Sequence, residues 1–132
     1  MRAKIFCVIG ILMSLLTPAA VAQQGHPLVG VWSGDWGPTP AERHPVVVEM
    51  LWQNTTLSGN INPGEPDAAA IKVGRLDSTK WTVHLEGEAS EGGKPLLIVV
   101  DGQLENLGSS KRTLSGTWTR GGVKGTFKIT RE

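Results

Sequence analysis

The chain has 132 residues, with 13 basic and 12 acidic side chains, and is therefore close to neutral. It shows no basic run or stripe, so it carries no electrostatic footprint for nucleic acid or an anionic membrane surface. A single cysteine excludes a disulfide-stapled mini-domain.

Residues 1–22 read as a leader. Arg2 and Lys4 form a positive n-region, residues 5–16 an apolar run of twelve, and Ala20-Val21-Ala22 a small-x-small cleavage site. The run is shorter than the roughly 20 apolar residues that a membrane span needs. The expectation is a cleaved signal peptide with Gln23 as the mature start, a secreted or periplasmic location, and no stable membrane insertion after cleavage. Cys7 leaves with this leader. So do two of the 13 basic residues, which leaves 11 against 12 acidic ones and a formal net charge of −1.

Residues 23–132 read as one domain. The 17 glycines and 8 prolines are spread through the chain and not pooled in a linker. From Leu28 onward, period-two alternation recurs between turn residues at eight- to twelve-residue intervals, while helical periodicity is hard to find. Eight runs follow this pattern: 28–36, 45–53, 56–62, 71–77, 80–88, 96–105, 112–120 and 123–131. In WTVHLEGE, Trp81, Val83, Leu85 and Gly87 share one face, and Thr82, His84, Glu86 and Glu88 the other. Such alternation belongs to antiparallel sheet with one face on a core.

The turns fix the register. A two-residue loop at Asn54-Thr55 sets Trp52 against Leu57, Met50 against Gly59 and Val48 against Ile61, all on the apolar face. A Gly121-Gly122 turn, suited to type I′, sets Arg120 against Val123, Trp118 against Gly125, Gly116 against Phe127 and Leu114 against Ile129. In the fourth run Ile71 and Leu76 differ in parity, which calls for a bulge near Gly74. Gly34, Gly59, Gly87, Gly102, Gly116 and Gly125 fall within strands on the apolar parity. Glycine weakens a strand interior, so six inward positions indicate sharp bending, as closure of a sheet requires. The tetrapeptide Thr-Leu-Ser-Gly, written at 56–59 and again at 113–116, is then a strand start that ends in a bend. The predicted fold is all-β, an eight-stranded antiparallel up-and-down meander closed into a small barrel.

The opening LVGVWSGDW, the middle TLSGNI, the later LSGTW and the terminal GTFKITR resemble small exported bacterial barrel proteins of the calycin group, which includes lipocalins, fatty-acid-binding proteins and avidins. Gly30-Val31-Trp32 matches the lipocalin glycine two residues before a first-strand tryptophan. The chain departs from that pattern in having no disulfide, no long N-terminal arm and no tyrosine, and in being shorter than a lipocalin. It has five tryptophans, but it lacks the polar set with which avidins grip biotin. The resemblance implies a barrel that holds a small molecule.

In a closed meander, the connections 37–44, 63–70 and 89–95 share a rim with Gly121-Gly122. The opposite rim holds the tight turns at 54–55 and 78–79 and the connection 106–111, with Trp52 and Trp81 large enough to plug it. The open mouth would present Trp36, Trp118 and Arg120, with Arg43 and His44 on the overlying loop and Trp32 deeper. The candidate ligand-binding residues are therefore Trp32, Trp36, Trp118, Arg120 and His44, facing a small hydrophobic or aromatic ligand. Alternatively, those tryptophans only fill the lumen, and the barrel is a protein-interaction module resembling small exported protease inhibitors, docking through its loops or residues 23–27 on a protein partner. His26, His44 and His84 lack metal-ligand spacing, and His84 alternates onto the outer face with Glu86 as a solvated side chain. Ser33 and Ser115 lack a nucleophile-elbow context. Asp35 and Asp101 take the outward parity. No enzyme, metal or cofactor is expected.

Overall fold

The computed structural model describes residues 26–132, so the leader and the start at Gln23 lie outside the described residues. The strands are β1 (Gly30–Gly37), β2 (His44–Gln53), β3 (Thr56–Ile61), β4 (Ala69–Asp77), β5 (Thr82–Glu91), β6 (Lys94–Glu105), β7 (Thr113–Arg120) and β8 (Val123–Arg131). Each pairs antiparallel with the next. The β1–β8 ladder, from Trp32↔Arg131 to Gly37↔Thr126, closes the barrel. Both hairpin registers read from the turns are present, including Met50↔Gly59 and Trp118↔Gly125. The two Thr-Leu-Ser-Gly segments open β3 and β7, and each buries its leucine, Leu57 or Leu114.

The core runs through the barrel interior. Val46, Val48 and Met50 of β2, Val83 and Leu85 of β5, Ile98, Val100 and Leu104 of β6 and Phe127 and Ile129 of β8 are all buried. Of the six strand glycines, Gly102 and Gly116, paired across β6 and β7, show the two reasons for the residue. A Cβ on Gly102 would meet Phe127 and Leu114 side chains, whereas one on Gly116 would enter the carbonyl oxygen of Asp101. Gly87 resembles the first; Gly34, Gly59 and Gly125 resemble the second. The absent side chains thus make room for interior packing at some positions and allow close approach of neighbouring backbones at others.

Four expectations need correction. The register shift in β4 lies between Ile71 and Val73, earlier than Gly74, so Lys72 is the extra residue; Ile71 still faces Gly87 and Leu76 still faces Val83. The segment 89–95 is not a long loop. β5 and β6 pair out to Glu91↔Lys94, and Gly92 and Gly93 turn with φ of 58° and 79°, both positive as a type I′ turn requires. Trp81 belongs to the β4–β5 turn, with φ of 57°, and only partly packs on the core.

Trp52 does not plug the short-loop rim. It is 46% exposed and stacks on His26, with ring centroids 4.3 Å apart. The segment before β1 closes that end: Leu28 is fully buried, its carbonyl accepts Trp32 Nε1 at 2.9 Å, Arg112 Nη1 donates to Pro27 O and Arg131 Nε to Val29 O. These contacts satisfy backbone carbonyls that would otherwise be lost at a crowded rim.

Candidate functional site

The opposite rim carries the β1–β2 loop, the β3–β4 loop and the β5–β6 and β7–β8 turns. Inward parity on β1, β2 and β7 brings Trp36, His44, Trp118 and Arg120 to this end. Trp36 packs against Trp118 with centroids 6.0 Å apart and planes inclined by 21°, and against His44 at 5.5 Å. Trp118 in turn meets Phe127 edge-on at 5.4 Å. Offset and edge-on contacts of this kind are the favoured arrangements of aromatic rings. They make an aromatic column from the exposed His44 down into the core.

Trp36, His44 and Arg120 border one surface hollow of about 330 Å³, together with Pro38, Glu42 and Val123 among others. Trp118 does not border it. At 1% exposure it lies beneath Trp36. Trp32 lies far from this hollow, fully buried near the closed rim and bonded to Leu28. Three of the five predicted site residues therefore meet at an accessible surface, one supports them from below, and one belongs to the core.

The two buried indoles differ in their hydrogen bonding. Trp32 donates its N–H, whereas Trp118 Nε1 is, among the described residues, the buried polar side-chain atom without a partner. Such orphans are uncommon and cost about 1–3 kcal/mol when left dry.

Arg43 is a latch that fixes the loop. Its Nε and Nη2 donate to Asp35 Oδ1 at 3.1 and 2.8 Å, Nη1 to Gly37 O and Thr126 Oγ1, and Nη2 to Thr126 O. One guanidinium thereby ties the β1–β2 loop to β1 and, across the closing seam, to β8. Planar donors in a fixed fork suit this multiple bonding.

Arg120 is different. Its one side-chain hydrogen bond among the described residues runs from Nη1 to Glu91 Oε2 at 3.4 Å. Glu91 comes from the β5–β6 hairpin, which extends past β7: Ala89 is buried and Leu96 packs near Gly121, so the hairpin stands beside the Arg120 end of β7. Sequence reasoning missed Glu91 because 89–95 read as a loop. The Gly-Gly pair at 92–93, like that at 121–122, was the available signal.

On the outer wall, His84 is not simply solvated. Its Nδ1 lies 2.6 Å from Asp101 Oδ1 and its Nε2 2.8 Å from Glu86 Oε2. Hydrogen bonding to Glu86 first, then to Asp101, raises its pKa above the ordinary histidine value. Both ring nitrogens can donate only in the imidazolium form, so the cluster is a charged pin between β5 and β6. Among the described residues no group of side chains is arranged to hold a metal ion.

The chain matches no family model, no curated protein and no solved structure.

Proposed function

We propose that this chain is an exported, calycin-like barrel that binds a small hydrophobic or aromatic molecule at the mouth bordered by the β1–β2 loop, the β3–β4 loop and the β7–β8 turn. The observation that carries the reading is the Trp118 N–H, buried without an acceptor among the described residues, directly under the partly buried Trp36. An apolar pocket wall with a few unfilled polar groups is how small-molecule sites combine affinity with orientation. Entry requires Trp36 to shift, which exposes the indole below it and lets a ligand acceptor meet that donor. The ligand contacts are Trp36, His44 and Arg120 at the surface and Trp118 below; Trp32 supports the fold. The reading involves no catalytic step and no cofactor.

The test uses the neutral dye N-phenyl-1-naphthylamine. Its fluorescence should rise with saturation on the native barrel, Trp36→Leu should weaken binding at least tenfold, and Trp52→Leu, at the opposite rim, should leave it unchanged. Absence of saturable binding, or equal loss in both variants, defeats the proposal.

A second reading has its own support. Val31, Val47 and Leu51, at 40, 37 and 40% exposure, line the outer face of β1 and β2, beside a groove of about 620 Å³ bordered by Pro45, Val47 and Pro63. Exposed apolar surface of this kind marks protein contacts. A protein-interaction module using this wall predicts that Val47→Lys abolishes a stoichiometric complex while dye binding is retained.

A further inference from the structure

The hydrogen-bond inventory at the mouth leads to a class of ligand. Trp118 and Arg120 occupy successive inward positions of β7, about 7 Å apart along the strand. Both end in N–H donors. Trp118 Nε1 has no acceptor, and the guanidinium, with five N–H groups, has one acceptor at 3.4 Å among the described residues. The other arginines of the rims differ: Arg43 is bonded on all three nitrogens, and Arg112 and Arg131 each reach two carbonyls. Arg120 is thus held at the mouth, with its side chain 27% exposed, without being used to brace the fold.

The acceptor it does have is a carboxylate. Glu91 is 66% exposed, so its hold on Arg120 is that of a solvated ion pair, weak and readily exchanged. We infer that the ligand is a small apolar or aromatic monocarboxylate, whose carboxylate replaces Glu91 on the Arg120 guanidinium while its apolar body lies against Trp36. This rests on the ligand-binding reading proposed above and adds the charge of the ligand to it. A planar guanidinium matches a carboxylate with two parallel N–H···O bonds, a geometry the long single contact with Glu91 does not use. Two acidic side chains, Glu42 and Asp67, also border the hollow. Each already has a neighbour, His44 Nε2 at 3.4 Å and Asn62 Nδ2 at 3.1 Å respectively. The Glu42 contact is as loose as that of Glu91, but an amine bound there would sit in the repulsive field of Arg120, whose unfilled donors favour an anion.

Three matched probes test this on the intact barrel: 4-phenylbutanoic acid, 4-phenylbutanamide and 4-phenylbutylamine, titrated by calorimetry and by displacement of N-phenyl-1-naphthylamine. The acid should bind at least tenfold more tightly than the amide or the amine. Arg120→Gln should bring the acid to within twofold of the amide. Glu91→Gln should tighten the acid several-fold by removing the competing carboxylate. If the amide equals the acid, if the amine binds best, or if Arg120→Gln has no effect, the inference is overturned while dye binding keeps the ligand reading. If neither dye nor any probe binds, both fall together.

Discussion

Trp32 and Trp118 are equally buried, yet Trp32 gives its indole proton to Leu28 O at 2.9 Å and Trp118 finds no acceptor for its proton among the described residues. Replacement by phenylalanine removes a comparable volume in each case and opposite hydrogen-bond terms. Trp32→Phe strands the Leu28 carbonyl at a closed rim, whereas Trp118→Phe relieves a stranded donor. Trp32→Phe is therefore expected to be the more destabilising, by about 1–3 kcal/mol, in chemical denaturation without ligand. Equal losses would mean that the Trp118 proton is satisfied in solution.

The histidines give stability a pH dependence of two signs. His84 has a raised folded-state pKa, through Glu86 and then Asp101. Its contribution is complete below the unfolded value of about 6.5 and is lost as pH rises through the higher folded value. His26, stacked on Trp52, has its pKa lowered by burial, so its contribution is present above about 6.5 and is lost as pH falls through the folded value. In melting experiments from pH 5 to 8.5, His84→Gln should remove the decline on the alkaline side and leave the fall on the acid side, which His26→Gln in turn should remove. An alkaline decline that persists in His84→Gln would show that the carboxylate clamp does not hold an imidazolium.

Arg43 makes the β1–β2 loop part of the barrel wall. Arg43→Lys keeps the charge but cannot reach Asp35, Gly37 and Thr126 together. With Asp35 half exposed, solvent screens the ion pair, and the expected loss is about 1 kcal/mol. Hydrogen exchange should report the change locally, as faster exchange at residues 38–43 and at Thr126, with β4–β6 unaffected.

Local chemistry in the sequence revealed the strands, their faces and two hairpin registers, because alternation has a period of two and a two-residue turn admits one pairing. Val123, Lys124 and Gly125 could be assigned to faces from Gly121-Gly122 alone. Long-range events were harder to read. Nothing around His26 and Leu28 says that this segment folds over the short-loop rim, since its partners Arg112 and Arg131 lie more than 80 residues away in the chain. Glu91 was hidden for a different reason: polar residues flanking Gly92-Gly93 suit an extended hairpin as well as a loop, and only the neighbouring strands decide. Trp36 and Arg120 were found together because the parity of two strands converges at one rim, and His44 because its connection was expected to overlie that rim, although it proves to open β2; the burial of Trp118 beneath Trp36 depends on how two indoles pack. Periodicity carries no information about that.

Close approach of neighbouring backbones can be tested most sharply at Gly116. A Cβ there would enter the Asp101 carbonyl and press on Gly102 Cα, both of them backbone atoms held in the β6–β7 ladder. Backbone cannot rotate aside as a side-chain tip can, so the strands must separate and the local bend must relax, a form of overpacking that costs about 1–3 kcal/mol or more. At Gly102 the two nearest atoms are the ring tip of Phe127 and a methyl of Leu114, which can yield by small rotations, and the Ser115 carbonyl is met only at 3.1 Å, well beyond the distance of Asp101 O at Gly116, so Gly102→Ala should cost less. Gly108 has open space around its Cβ position, and Gly108→Ala should fall within about 0.5 kcal/mol of the parent. The expected order of destabilisation in urea denaturation is Gly116→Ala, then Gly102→Ala, then Gly108→Ala. If Gly116→Ala proves as mild as Gly108→Ala, close backbone approach is not what closes this barrel.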